Sequence, residues 1–235
     1  MSVLAIIPAR GGSKRIPRKN IKDFLGSPII KYSIESAIKA NLFDEIMVST
    51  DDSEIAQIAQ KYGAKVPFFR SSATSGDLAT TAQVIEEVIL QYKKMGRDFL
   101  YCCCIYPAAP FITSVHLTQA FELLRKTGAD AVVPVVRYGH PIQRALKIED
   151  GRLFMLHPEN LNIRTQDLMA SYHDVGQFYC LKVESLMKNK KLVMDDTLPF
   201  ILQESEIQDI DSDEDWQAAE IKFKILKEKS KEGDK

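Results

Sequence analysis

Short apolar runs alternate along this chain with segments whose apolar residues recur at helical spacing, and this alternation constrains the fold more than any other feature. The runs fall at residues 3–7, 45–50, 66–69, 99–106 and 131–136. Between them, Ile30, Ile34, Ala37 and Ile38 mark one helical face, and Ile55, Ile58, Ala59 and Tyr62 a second. Ala82, Ile85, Val88, Ile89 and Tyr92 mark a third, and Leu117, Ala120, Phe121 and Leu124 a fourth. Parallel strands need a crossover, usually a helix, so the pattern predicts an α/β fold with a doubly wound, mostly parallel sheet. The run 99–106 is nearly all apolar, as expected of a central strand covered on both faces. A chain of 235 residues can bury a substantial core in one domain.

Punctuation between the runs predicts the helix ends. Ser27-Pro28 offers an N-cap and a first-turn proline, Asp51-Asp52 caps the second helix, and Ser114 caps the fourth. Asp51 is also open to a functional role. Gly63 and Gly128 close helices. From 137 to 172 the alternation lapses. There, 145–148 and 153–156 flank Glu149-Asp150-Gly151-Arg152, which predicts a β-hairpin on an excursion from the sheet, of the kind that packs on a second subunit. A strand at 175–183, an extended piece at 208–211 and a helix striped by Trp216, Ala219, Phe223 and Leu226 follow. Residues 1–226 read as one domain, and the Lys/Glu-rich end, 227–235, is expected to fray.

Composition removes several classes of function. The 31 basic and 32 acidic side chains leave no global field for nucleic acid, and no RNA-binding motif is present. Cys102, Cys103 and Cys104 are consecutive and Cys180 is far away, so zinc spacing is absent and reduced thiols buried in a strand are expected. No GxSxG elbow occurs, and the four histidines have no relay or metal spacing. The first apolar run is too short for a secretory segment and no run reaches membrane-spanning length, so a soluble cytoplasmic protein is expected.

The first run breaks at Pro8 into Ala9-Arg10-Gly11-Gly12-Ser13-Lys14-Arg15-Ile16-Pro17-Arg18-Lys19-Asn20. Five cations and no acid lie between Arg10 and Lys19, and Gly11, Gly12 and Ser13 let the backbone turn its N–H groups toward an anion. A phosphate-binding loop for a polyphosphate is one reading, and a solvated basic turn the other. Neither GxxxxGK[ST] nor a helix-opening GxGxxG is present, which removes a dehydrogenase reading. In a doubly wound sheet, ligands bind beyond the carboxyl ends of the strands, where Arg10, Arg70 and the Pro107 loop are all expected. Arg164 and His173-Asp174 are candidates for the far side of that crevice. If 208–211 is extended, Asp209 and Asp211 share a face and can hold a cation such as Mg²⁺. Alternatively, Asp211 or Ser212 only caps the last helix.

These residues give the chain a close resemblance to the cytidylyltransferases that activate nine-carbon acidic sugars, over roughly residues 2–226. It rests on the segment Ile7–Asn20, Val48-Ser49-Thr50-Asp51, Arg70 followed by Asp77, and Ile210-Asp211. Within that family, Tyr106-Pro107-Ala108-Ala109-Pro110-Phe111, Pro141-Ile142-Gln143-Arg144-Ala145-Leu146 and His173-Asp174-Val175-Gly176-Gln177-Phe178-Tyr179 resemble the branch acting on pseudaminic acid. The branch acting on sialic acid carries Gln-Pro-Thr-Ser-Pro-Leu-Arg at the Tyr106 loop and an Asn-Gly near Asp174. The resemblance implies CTP, a nine-carbon acidic sugar and Mg²⁺ as partners, and a homodimer whose arm reaches the neighbouring site. It implies nucleotide contacts from Ala9, Arg10, Gly11, Gly12, Ser13, Lys14, Lys19, Arg70, Asp77 and Thr81. Arg10, Lys19 and Asp211 take catalytic roles, Asp209 and Asp211 hold the metal, and Tyr106, Gln143, Arg144, Arg164, His173 and Asp174 face the sugar. A sialic or legionaminic acid enzyme, or a nucleotide-binding module without turnover, are the rival readings.

Overall fold

The computed structural model describes the backbone of residues 2–233 and side chains through residue 228. Strand β1 (Val3–Pro8) leads through a long loop to helix α1 (Ile30–Ala40), then β2 (Glu45–Ser49), α2 (Ser53–Lys61), the single turn α3 (Ser72–Ser75), α4 (Thr81–Lys94) and β3 (Tyr101–Ile105). Helix α5 (Ser114–Thr127) and β4 (Ala131–Arg137) follow, and β5 (Leu146–Glu149) with β6 (Arg152–Met155) form the hairpin. The chain then returns through β7 (Tyr172–Asp174), β8 (Phe178–Lys182), α6 (Val183–Asn189), β9 (Thr197–Ile201) and α7 (Asp213–Gly233).

The main sheet runs β2-β1-β3-β8-β4, with β9 pairing β4 in parallel. β1 also pairs in parallel with β2 on one side and β3 on the other, while β7 and β8 run antiparallel, so the sheet is mostly parallel as expected. Side-chain alternation divides the core in two. Val3, Ala5 and Ile7 join the apolar layer under α1 and α5, whereas Leu4 and Ile6 join the layer under α4. Cys103 and Cys180 fall in the first layer and Cys102 and Cys104 in the second; all four thiols are free and buried. Both faces are covered, which is why these runs are apolar throughout rather than alternating.

Several local expectations are corrected. Residues 66–69 form no strand; a single bridge, Met47 to Lys65, is all the pairing there. Ser27 is not an N-cap, because it belongs to the tight turn Asp23–Pro28, where Leu25 and Gly26 take positive φ, and Ile29 stands at the helix start. Thr113, not Ser114, caps α5: its backbone is extended and its hydroxyl accepts from the His116 N–H. Asp52 alone caps α2. The strand expected at 175–183 is shortened to β8, with β7 lying ahead of it. β4 pairs with β8 through Ala131 and Val132 and with β7 through Val135 to Arg137, and the residues between them bulge around Gly176 at φ 58°. Such bulges turn a strand's side chains toward a site. Residues 208–211 are outside any strand. Of the end expected to fray, 227–233 is helical, and 234–235 lies outside the described residues.

Candidate active site

The loop after β1 is shaped by its neighbours as much as by its own glycines. Ala9 is buried and its N–H donates to the Ser49 carbonyl at 2.8 Å, continuing the β1–β2 ladder. Buried Asn20 donates from Nδ2 to the Arg10 carbonyl at 3.0 Å, tying the two ends of the loop together. Ile16 sinks into a third apolar cluster with Phe24, Phe111, Ile210 and Trp216, so α7 backs the loop from behind. The Gly11 N–H, expected to face an anion, instead donates to Asp51 Oδ1 at 2.9 Å, and the Ser13 N–H donates to the Gly11 carbonyl at 3.0 Å. The Gly11 N–H is therefore already partnered, and what the loop turns to the cleft is chiefly side chains.

Those side chains open on a cleft of about 380 Å³. Arg10, Ser13, Lys14 and Lys19 line one wall, and Arg70, Asp77, Thr81 and Tyr106 the other. Pro107 and Asp209 complete it, so the three segments expected to meet at the carboxyl ends of the strands do meet. Asp77 reaches across, taking Arg10 Nη1 at 2.7 Å on one oxygen and Lys14 Nζ on the other. Lys14, then Arg10, hold its carboxyl below the usual range. Arg70 is buried; its Nε donates to Ser49 Oγ at 3.0 Å and Nη2 to the Ser49 carbonyl, and burial pushes its pKa down. Its hydrogen bonds go to neutral oxygens, and the nearby Asp51 and Glu87 carboxylates offset only part of the cost of burying it, so an anion beside it is favoured.

At the other end of the cleft, Tyr106 bonds Thr81 Oγ1 through its hydroxyl at 3.0 Å, and burial raises its pKa. Its ring lies 5.7 Å from that of Tyr179, whose hydroxyl donates to Asp174 Oδ2. Asp174 also accepts the Gly176 N–H at 2.8 Å, so it fixes the bulge rather than lining the cleft. His173 packs against Tyr138 with the rings tilted at 53° and centroids 4.7 Å apart, also outside the cleft. Gln143 donates to the Met169 carbonyl, Arg144 to the Ile163 carbonyl, and Arg164 pairs with Asp167. These three lie on the excursion and do not line this cleft.

Asp209 lines the cleft with no ion-pair partner among the described residues, and burial, with Asp211 adding, raises its pKa. Asp211 pairs with Arg15 at 2.6 Å and stands 3.6 Å from Lys19, whose Nζ donates to the Ile210 carbonyl at 2.7 Å. Capping of α7 falls to Ser212, whose hydroxyl accepts the Asp215 N–H while Asp215 accepts the Ser212 N–H, so the Asp211 carboxylate is not used as the cap. Among the described residues, no group of three or more His, Cys, Asp or Glu is placed so that it could hold a metal ion. Asp209 in the cleft and Asp211 just behind it offer two hard carboxylates of the kind Mg²⁺ takes, an ion that keeps several waters for the rest of its shell.

Arg15, Asn20, Thr74 and Gly176 also line the cleft, beyond the residues expected to form the site. Arg15 and Asn20 belong to the conspicuous loop and Gly176 to the His173–Tyr179 motif, but the place of Gly176 in the cleft depends on the bulge, and Thr74 carries no local signal.

The sequence pattern of the family described as Cytidylyltransferase matches residues 4–198. A pseudaminic acid cytidylyltransferase of Campylobacter jejuni is 38% identical over 226 residues, covering 96% of this chain and 97% of that one. A CMP-N,N'-diacetyllegionaminic acid synthase of Legionella pneumophila is 30% identical over 233 residues, covering 97% and 99%. Among solved structures, a CMP:2-keto-3-deoxy-manno-octonic acid synthetase complexed with CTP matches with a TM-score of 0.71 at 16% identity, covering 97% of this chain and 100% of that one, a likeness of fold.

Proposed function

The chain belongs to the cytidylyltransferase family and is a nucleotidyltransferase, and on that premise we propose that it transfers CMP from CTP to the anomeric hydroxyl of pseudaminic acid. The observation that carries the sugar assignment is the end-to-end 38% identity with the Campylobacter enzyme. The cleft supports the nucleotide: Arg10, Lys14 and Lys19 face it from the loop and Arg70 from the opposite wall. A triphosphate would replace Asp77 as partner of Arg10 and Lys14.

In the proposed reaction the sugar oxygen attacks the α-phosphorus in line, the bond from that phosphorus to pyrophosphate breaks, and the hydroxyl proton passes to solvent. Such a displacement asks the protein for alignment and charge stabilisation more than for covalent chemistry. Lys19, held by the Ile210 carbonyl, is the proposed donor to the transferring phosphate, and Arg10 and Lys14 the grip on the leaving pyrophosphate. Asp209 and Asp211 would hold Mg²⁺, which supplies charge neutralisation and a more acidic hydroxyl. Tyr106, presented by Thr81, is the proposed sugar-side wall.

We place the enzyme in a homodimer. The hairpin leaves Ile148 and Leu153 74% and 67% exposed, and Gln143, Arg144 and Arg164 have no place in their own cleft, which suits an arm serving a partner's site. No described helix is long and apolar enough to cross a membrane. CTP is a cytoplasmic metabolite, so the reaction belongs in the cytoplasm.

The test is pyrophosphate release from CTP and Mg²⁺ with pseudaminic, legionaminic and N-acetylneuraminic acids in parallel, each repeated after chelation. Release with pseudaminic acid, lost on chelation, is expected. Release only with another acid moves the sugar assignment; CTP binding without release from any acid supports a non-catalytic module.

A further inference from the structure

The mechanism leaves two of the five loop cations, Arg15 and Arg18, without a task, and Arg15 at least lines the cleft and pairs with Asp211. Arg18 does not line the cleft. It turns away, donating from Nη1 and Nη2 to Asp52 at 2.5 and 3.1 Å and reaching Glu54 as well. Its backbone is left-handed, at φ 56° and ψ 28°, a conformation that costs a residue with a Cβ about 1–2 kcal/mol and persists only where neighbours enforce it. Lys19 is the next residue. Whatever fixes Arg18 therefore sets the direction in which Lys19 leaves the backbone.

The opposite end of the loop meets the same corner. Gly11 gives its N–H to Asp51 Oδ1, and a Cβ on Gly11 would stand 2.8 Å from Asp52 Oδ2. Glycine is required here by close approach, since Gly11 has no positive φ. Two consecutive carboxylates at the β2–α2 corner thus grip a loop at residue 11 and residue 18, on either side of Lys14. Asp52 does a second job with the same side chain, since Oδ1 also accepts the N–H groups of Glu54 and Ile55 at the start of α2. The loop is thereby anchored to a helix end, which is rigid, rather than to another loop.

We propose that Asp51 and Asp52 are positioning residues that clamp the two ends of the phosphate loop, Asp51 through the Gly11 N–H and Asp52 through the Arg18 guanidinium, and so set the spacing between Arg10 and Lys19. The inference rests on the nucleotidyl-transfer reading of the cleft. Neither carboxylate lines the cleft. A loose loop still finds a triphosphate in the ground state, but donors that must reorganise during the reaction stabilise the transition state less. The clamp is accordingly expressed in turnover more than in binding.

Asp52→Asn separates this role from helix capping, because the amide oxygen still accepts the two N–H groups of α2 while the ionic pairing with Arg18 is lost. Arg18→Gly accepts the left-handed backbone and removes the guanidinium; Arg18→Lys restores one charge. Steady-state kinetics of these variants and of Asp52→Asn/Arg18→Gly should show kcat down about tenfold or more in each of Asp52→Asn and Arg18→Gly, with KM for CTP raised about threefold. The double variant should be no worse than the worse single one, and Arg18→Lys should recover part of the loss. Asp51→Ala should lower kcat in the same way, with Asp51→Asn, which keeps an acceptor oxygen, recovering part. Wild-type kcat in Asp52→Asn and Arg18→Gly, or losses that multiply in the double variant, would overturn the clamp. CTP affinity by titration calorimetry keeps the two readings apart. If the unsubstituted protein releases no pyrophosphate from any acid, the reaction is wrong, and the clamp then stands or falls on whether Asp52→Asn weakens CTP binding about threefold or leaves it unchanged.

Discussion

At the scale of single residues, the loop cations are alike in type and different in task, because their partners differ. Arg18 is committed to Asp52, Arg15 to Asp211, and Arg10 and Lys14 to Asp77, which a phosphate can displace. Lys19 donates to the Ile210 carbonyl and only shares Asp211, at 3.6 Å, with Arg15. Lys19→Ala is expected to lower turnover on the order of a hundred- to a thousandfold, as loss of a preorganised donor does; unchanged turnover would assign that role elsewhere. The Asp52 carboxyl, bonded chiefly to Arg18, falls from a usual 3.8 to about 2. A depressed carboxyl contributes stability that is present above its unfolded value and is lost as pH falls through the folded one. The contribution is at most about 2 kcal/mol, less what solvent takes from the half-exposed Arg18. Urea unfolding at about pH 6 should therefore separate wild type from Asp52→Asn, and the gap should close by about pH 2. An equal gap at both pH values would show that the pairing contributes nothing to folding.

At the scale of elements, the hairpin is the part whose local structure and wider role separate most clearly. Its turn takes φ 49° at Asp150 and 72° at Gly151, the paired positive values that match strand twist in a two-residue turn, and Ile148 pairs with Leu153. That much needs no partner. Yet an isolated two-stranded hairpin is marginal in water, and this one shows an apolar face to solvent. Replacing Ile148 and Leu153 together by lysine should halve the mass measured by sedimentation while leaving CTP binding in place. A wild-type protein that sediments as a monomer would remove the arm's proposed role.

At the scale of the whole molecule, the two ends of the chain make one site. The loop at residues 9–20 and the carboxylates at 209 and 211 lie nearly two hundred residues apart, and α7 brings them together by packing Trp216 and Ala219 over Ile16 and Ile210. Phe24 sits edge-on to Trp216, Tyr32 and Phe223 in the same cluster. Trp216→Ala, at a site 4% exposed, should cost about 3–5 kcal/mol in chemical denaturation. It should also weaken CTP binding in protein that remains folded, because Ile16 loses its backing. Full CTP affinity in that variant would mean that the loop holds its shape without α7.

The alternation of apolar runs and helical faces determined the layered sheet from sequence alone, since burial on both faces leaves no other arrangement for strands such as 101–105. The loop was legible for the same kind of reason: five cations beside two glycines are a local fact. Asp51 and Asp52 could be read as caps, but not as a clamp, because their second partners, Gly11 and Arg18, lie 40 and 34 residues away. The failed strand at 66–69, the bulge at Gly176 and the remoteness of Gln143, Arg144 and Arg164 from the cleft depend likewise on which segments meet. Periodicity reports which side of an element is buried; only packing decides what it is buried against, and the cleft is made of those meetings.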